Sequence, residues 1–193
     1  MLGLKLPTDP RWADIAKKNI EEILADHAFC EQKAASTAIS FIVTHPDLPD
    51  LVKEMTALAI EEMSHFDMVH KIIVKRGLKL GYERKDEYVH RLLAFFPKGG
   101  SREDRLINRL LIAGLIEARS CERFRVLSEN IDDPELSKFY ASLLASEARH
   151  YTMFLKFARQ YGDEKVVNEK WEKLLTYEAE VMKDFGDKEL IHG

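Results

Sequence analysis

Apolar residues recur along most of the chain at intervals that alternate between three and four. From 20 to 44 the series is Ile20, Leu24, His27, Glu31, Ala34, Ala38 and Phe41. From 48 to 76 it is Leu51, Met55, Leu58, Glu62, His65, Val69 and Ile72. From 101 to 130 it is Leu106, Leu110, Ala113, Glu117, Ser120, Phe124 and Leu127, and from 134 to 161 it is Leu136, Tyr140, Leu143, Glu147, His150, Phe154 and Phe157. This is the repeat of a helix face turned towards a core. No Val/Ile/Thr alternation bounded by turn dipeptides signals a strand.

Local signals bound the elements. Asp9-Pro10 reads as a cap with proline at the first helical position, opening a short helix to about 19. His45-Pro46 stops the first long helix, and Gly77 closes the second. A looser connector over 78–100 holds a short helix at 86–95, broken by Pro97 and Gly99-Gly100. Ser101 caps the third long helix and Asp132 or Asp133 the fourth, which ends before Gly162. A last helix covers 163–185. The expected fold is all-α, a four-helix bundle with extra flanking helices: a single domain over 1–193, with the core bundle at about 20–161.

Each long seam is apolar above and below and carries a glutamate at its middle. An isolated buried carboxylate costs many kcal/mol, and it escapes by protonation, pairing or binding a metal. No Lys or Arg stands on the seam positions. Two divalent cations would balance four carboxylates; hydrogen-bonded protonated pairs are the other escape. Glu62 and Glu147 are each followed three residues later by His65 and His150, on the same helix face. Glu31 and Glu117 stand alone on their helices. That is the ligand pattern of di-iron and di-manganese carboxylate bundles, and mixed oxygen and nitrogen donors leave iron and manganese both open.

An internal repeat supports the grouping. Glu62 follows Glu31 by 31 residues and Glu147 follows Glu117 by 30. Glu61 and Glu122 fall about 100° and 140° from the seam carboxylates, at about 100° per residue, and are expected at the periphery. Glu122 is the rival to Glu117 if the phase of that helix differs. His27, one turn before Glu31, reads as a packed core histidine, with a hydrogen bond to a ligand as the alternative. Tyr140 reads as packing.

Composition narrows the class. The chain has 193 residues, 46% hydrophobic and 32% charged, enough for one sizeable core. No apolar run approaches the roughly 20 residues of a membrane span, and the first residues lack the apolar stretch of a signal peptide. Cys30 and Cys121 are too few for a disulfide scaffold or a thiolate zinc site and are expected to pack as small buried groups, so a cytoplasmic location is expected. Net charge is −4, yet 71–109 carries eleven Lys and Arg against five Asp and Glu. A local cationic region attracts polyanions even on an acidic protein; a solvated helix face is the plainer reading.

Four segments carry a narrower likeness. Asp26-His27-Ala28-Phe29-Cys30-Glu31-Gln32-Lys33-Ala34-Ala35-Ser36 and Glu61-Glu62-Met63-Ser64-His65-Phe66 resemble the MiaE-type tRNA hydroxylases. So do Glu117-Ala118-Arg119-Ser120-Cys121-Glu122-Arg123-Phe124 and Ser146-Glu147-Ala148-Arg149-His150-Tyr151, in the family's order, within about 12–161. The resemblance implies a ferritin-like fold with a non-haem di-iron centre, with Glu31, Glu62, His65, Glu117, Glu147 and His150 as ligands of two iron ions. It implies dioxygen as co-substrate, an external electron donor or reductase, and hydroxylation of the isopentenyl group of a hypermodified adenosine beside the tRNA anticodon. Whether the substrate is methylthiolated stays open.

The tRNA anticodon loop would then meet the cationic region, and Lys98, Arg102 and Arg105 are its candidate contacts. A manganese catalase, an iron oxidase or storage protein, and a metal-free bundle are the alternatives.

Overall fold

The computed structural model describes residues 2–83, 85–185 and 191. Among the described residues seven helices follow one another: α1 (Trp12–Lys18), α2 (Ile20–Thr44), α3 (Pro49–Lys75), α4 (Glu87–Leu93), α5 (Arg102–Asn130), α6 (Pro134–Tyr161) and α7 (Glu164–Met182). They fall into two compact units.

One unit comprises residues 19–85 with 189–191 and is built on α2 packed along α3. The α2–α3 turn forms where Pro46 blocks helix continuation and the His45 N–H closes on the Phe41 carbonyl at 2.9 Å. Gly77 ends α3 at φ +69°, and Leu78 N–H returns to the Ile73 carbonyl at 3.0 Å. A side chain at Gly77 would meet nothing, so this glycine serves conformation alone. Leu24, Ala38, Phe41, Leu51, Met55, Leu58 and Val69 are buried as expected. At two places the buried position moves one residue on: Ala35 in place of Ala34 and Ile73 in place of Ile72. A helix turns every 3.6 residues, so a seam written with a 3.5 repeat drifts by about 20° per heptad.

The other unit comprises residues 1–18, 86–188 and 192–193. Here α5 packs along α6, with α1, α4 and α7 also against α5. The Ser101 hydroxyl accepts from Asp104 N–H and Asp133 from Glu135 and Leu136, so two of the expected caps form, and Asp163 adds another at α7 by accepting from Val166. Two boundaries differ from expectation. Asp9 spends its carboxylate on the backbone and guanidinium of Arg11, and α1 starts only at Trp12. At the other end α7 stops at Met182, where a tighter turn carries Lys183 N–H to Glu180, and Phe185 packs edge-on to Tyr88.

The outer face of α5 overturns one expectation. Glu122 is buried, not peripheral, and lies in a charged network. Arg119 donates to Glu122, to the Thr8 hydroxyl at 3.1 Å, to the Leu6 carbonyl at 3.0 Å, and from two nitrogens to Glu178 Oε1 at 2.9 and 2.6 Å. Tyr88 adds its hydroxyl to the same Glu178 oxygen at 3.0 Å, and Thr8 N–H donates to Glu122 at 3.0 Å. Arg123 lies 4.0 Å over the Trp12 ring. The N-terminal segment, α1, α4 and α7 thus cover a face that helical periodicity assigns to solvent.

Candidate metal centre

In the α2–α3 unit, Glu31 comes from α2, and Glu62 and His65 come from adjacent turns of α3. All three are buried, and their donor atoms lie within 4.8 Å of one another. His65 Nδ1 is 2.9 Å from Glu62 Oε2 and 3.8 Å from Glu31 Oε2. His27, also buried, donates from Nε2 to Glu31 Oε1 at 2.7 Å. The hydrogen-bond alternative for His27 therefore holds alongside its burial.

The electrostatics of this cluster follow from its geometry. Burial alone would raise the Glu31 pKa, but His27 and His65 outweigh it and hold the carboxyl well below its usual range. Burial alone would depress His65; the carboxylates of Glu31 and Glu62 instead push it up to about 10. A positive charge is thus strongly favoured between the two carboxylates, and in the metal-free chain a proton on His65 provides it.

The α5–α6 unit repeats the arrangement. Glu117 comes from α5, and Glu147 and His150 from adjacent turns of α6, all buried. His150 Nδ1 lies 3.7 Å from Glu117 Oε2. Glu122, the rival position, faces Thr8 and Arg119, so the phase predicted for α5 stands. Tyr140 packs against Phe124 with ring centroids 5.4 Å apart. Cys30 and Cys121 are both buried thiols, and burial, with Glu117 nearby, raises the Cys121 thiol.

The donor sets fit a transition metal. Each unit holds two glutamates and one histidine in a buried interior, a mixture of hard oxygen and borderline nitrogen that suits iron or manganese. Three groups of this kind buried together with no role for a cation would be a costly use of core volume.

Lys98, Arg102 and Arg105 are exposed, on the α4–α5 connector and the first turn of α5. Arg105 donates to the Gly100 carbonyl at 2.6 Å. Arg84, counted in the cationic stretch, lies outside the described residues. No described helix is long and apolar enough to cross a membrane.

The family described as tRNA-(MS[2]IO[6]A)-hydroxylase (MiaE) matches residues 2–193. A tRNA 2-(methylsulfanyl)-N(6)-isopentenyladenosine(37) hydroxylase of Pseudomonas putida is 40% identical over 161 residues, covering 83% of this chain and 77% of the relative. The protein of the same name from Salmonella typhimurium is 29% identical over 218 residues, covering 84% and 77%. Among solved structures, a Synechococcus protein named for aldehyde deformylating oxygenase activity is similar at a TM-score of 0.91 and 34% identity, covering 98% of this chain and 95% of its own. The fold class expected from the sequence, all-α and ferritin-like with flanking helices, is borne out by the family match and this likeness.

Proposed function

The chain belongs to the MiaE family of tRNA hydroxylases, and from that premise we propose that it is an oxygen-dependent, non-haem di-iron monooxygenase. Its substrate is the isopentenyl group of 2-methylthio-N6-isopentenyladenosine beside the tRNA anticodon. One observation carries the reading: a glutamate on one helix and Glu-x-x-His on the next occur twice, buried both times.

We assign Glu31, Glu62, His65, Glu117, Glu147 and His150 as the ligands of two iron ions. Bound iron supplies the redox equivalents and the open coordination positions for dioxygen that no side chain offers to an unactivated allylic C–H bond. The chain's own residues do the rest. His27 fixes the orientation of the Glu31 carboxylate through its 2.7 Å hydrogen bond. His65 gives up its proton when it becomes a ligand. Leu58, Leu110, Leu143 and Phe154 keep the surrounding seams apolar and exclude water.

The overall reaction balances with an external donor. One oxygen atom enters the C–H bond and the other leaves as water, consuming two electrons and two protons from a reductase. Lys98, Arg102 and Arg105 are assigned to tRNA phosphates, and a tRNA substrate implies a cytoplasmic reaction.

Nucleoside analysis of tRNA from a strain lacking the gene tests the proposal. Accumulation of the unhydroxylated prenyl nucleoside supports it, and an unchanged profile overturns it. Metal analysis of the purified chain is expected to find about two irons per molecule. Turnover of an aldehyde, with none of tRNA, would favour the activity named for the Synechococcus protein.

A further inference from the structure

We propose that Tyr82 is a stacking platform for an unpaired base of the RNA substrate, presented by a cationic loop tethered to the helix that carries Glu31. The inference rests on the tRNA reading above and adds to it a surface that the Lys98–Arg105 assignment does not include.

The loop after α3 is unusual in its charge. From Lys71 to Lys85 the chain places Lys71, Lys75, Arg76, Lys79, Arg84 and Lys85 against a single acid, Glu83. In the folded chain that acid is neutralised: its carboxylate lies 3.1 Å from Lys33 Nζ. Lys79 and Lys85 remain as exposed cations on either side of Tyr82. A segment of this charge, standing on an otherwise acidic protein, selects a polyanion.

Tyr82 is 97% exposed, more than any other large hydrophobic residue described. Its ring and hydroxyl meet no partner among the described residues. Gly81, just before it, takes φ +68°, and a side chain there would meet nothing within 4 Å. The glycine therefore serves the left-handed turn that delivers Tyr82 to solvent, not close packing. An amphipathic ring held outward between lysines is the pairing that single-stranded nucleic-acid sites use: cations follow the phosphates, and the ring takes the face of a base. Only an unpaired base offers that face, which selects a loop over a duplex.

Two tethers fix where the ring stands. Lys79 N–H donates to Glu21 at 3.2 Å, and Glu83 binds Lys33, so the loop runs along α2 from the level of Glu21 to that of Lys33. Lys33 is two residues past Glu31, which at 1.5 Å per residue is about 3 Å along the helix axis. Tyr82 adjoins the Glu83 tether. Lys33 is also about 200° around α2 from the buried Glu31, so a base stacked on Tyr82 would be held on the outer side of that helix, as an unpaired loop base other than the modified adenosine.

The test compares wild type, Tyr82→Ala and Tyr82→Phe by fluorescence anisotropy on a labelled anticodon stem–loop RNA and on a fully paired RNA of the same length. Tyr82→Ala is expected to bind the stem–loop about tenfold more weakly. Tyr82→Phe, which keeps the ring, is expected to bind like wild type. Paired RNA should bind all three alike, and the salt dependence should not change, because no cation is removed.

Equal affinity of Tyr82→Ala and wild type for the stem–loop overturns the proposal. So does an equal loss on loop and paired RNA. Hydroxylation of tRNA by the iron-loaded wild type, run in parallel, separates the two levels of inference. An active wild type whose affinity ignores Tyr82 removes the stacking role and leaves the family activity standing. A wild type that neither binds the stem–loop nor hydroxylates tRNA removes both.

Discussion

The His27 imidazole and the Glu31 carboxylate lie 2.7 Å apart, one turn from each other on α2 and both buried. A carboxylate ligand with a fixed donor on one oxygen presents the other in a set direction. His27→Ala is therefore expected to weaken iron binding by about 10–100-fold while leaving the fold intact. His27→Gln, which still offers an N–H, should recover part of the loss. Titration against a competing chelator measures both, and full affinity in the alanine variant would reduce His27 to packing.

As a proposed ligand, His65 is expected to set the pH dependence of loading. Its pKa is raised to about 10 in the folded, metal-free chain, against about 6.5 when unfolded. A raised folded pKa stabilises the fold fully below about 6.5, and the contribution is lost as pH climbs through about 10. Metal must displace the same proton, so affinity should rise with pH over this window, with proton release on addition of iron in weak buffer. Denaturant melts of metal-free wild type from neutral pH to pH 10 should show a decline that His65→Gln lacks. Parallel curves would contradict the assignment.

Removing a proposed ligand separates metal binding from folding. Glu62→Ala and Glu147→Ala are expected to abolish hydroxylation and the rise in Tm on adding iron. In the metal-free chain Glu62→Ala should lower the Tm, since it removes the carboxylate 2.9 Å from His65 that helps hold the His65 proton. Full iron content and turnover in Glu147→Ala would exclude it as a ligand.

The outer face of α5 depends on Arg119, which holds Glu122 and Glu178 at once. Arg119→Met leaves both carboxylates buried without the guanidinium that binds them and is expected to cost about 3–5 kcal/mol in denaturant unfolding. Burial already raises the Glu178 pKa with Arg119 in place. A cost below about 1 kcal/mol would mean that the network contributes little to the fold.

The candidate tRNA contacts are tested by charge. Reversing Lys98, Arg102 and Arg105 together to Glu should weaken tRNA binding strongly at low salt and flatten the salt dependence by about one unit of slope per lost phosphate contact. Unchanged affinity at low salt would remove these residues from the interface.

The chain by itself determined its helices, their caps and the carboxylate–histidine pattern, because these are local. Ser101, Asp133 and Asp163 act on backbone amides within three residues, Pro46 and Gly77 act on their own turns, and Glu62 meets His65 one turn away. Helical periodicity, however, reports one buried face per helix. The second buried face of α5 depends on Thr8, Tyr88 and Glu178, which lie far from it in sequence, and charged residues there look the same whether solvent or a neighbouring helix covers them. Only the tertiary structure decided that Glu122 is internal, that α7 stops at Met182, and that Tyr82 stands in the open. Each of these depends on which distant segment fills or leaves the space beside a side chain, and spacing along one helix carries no record of that.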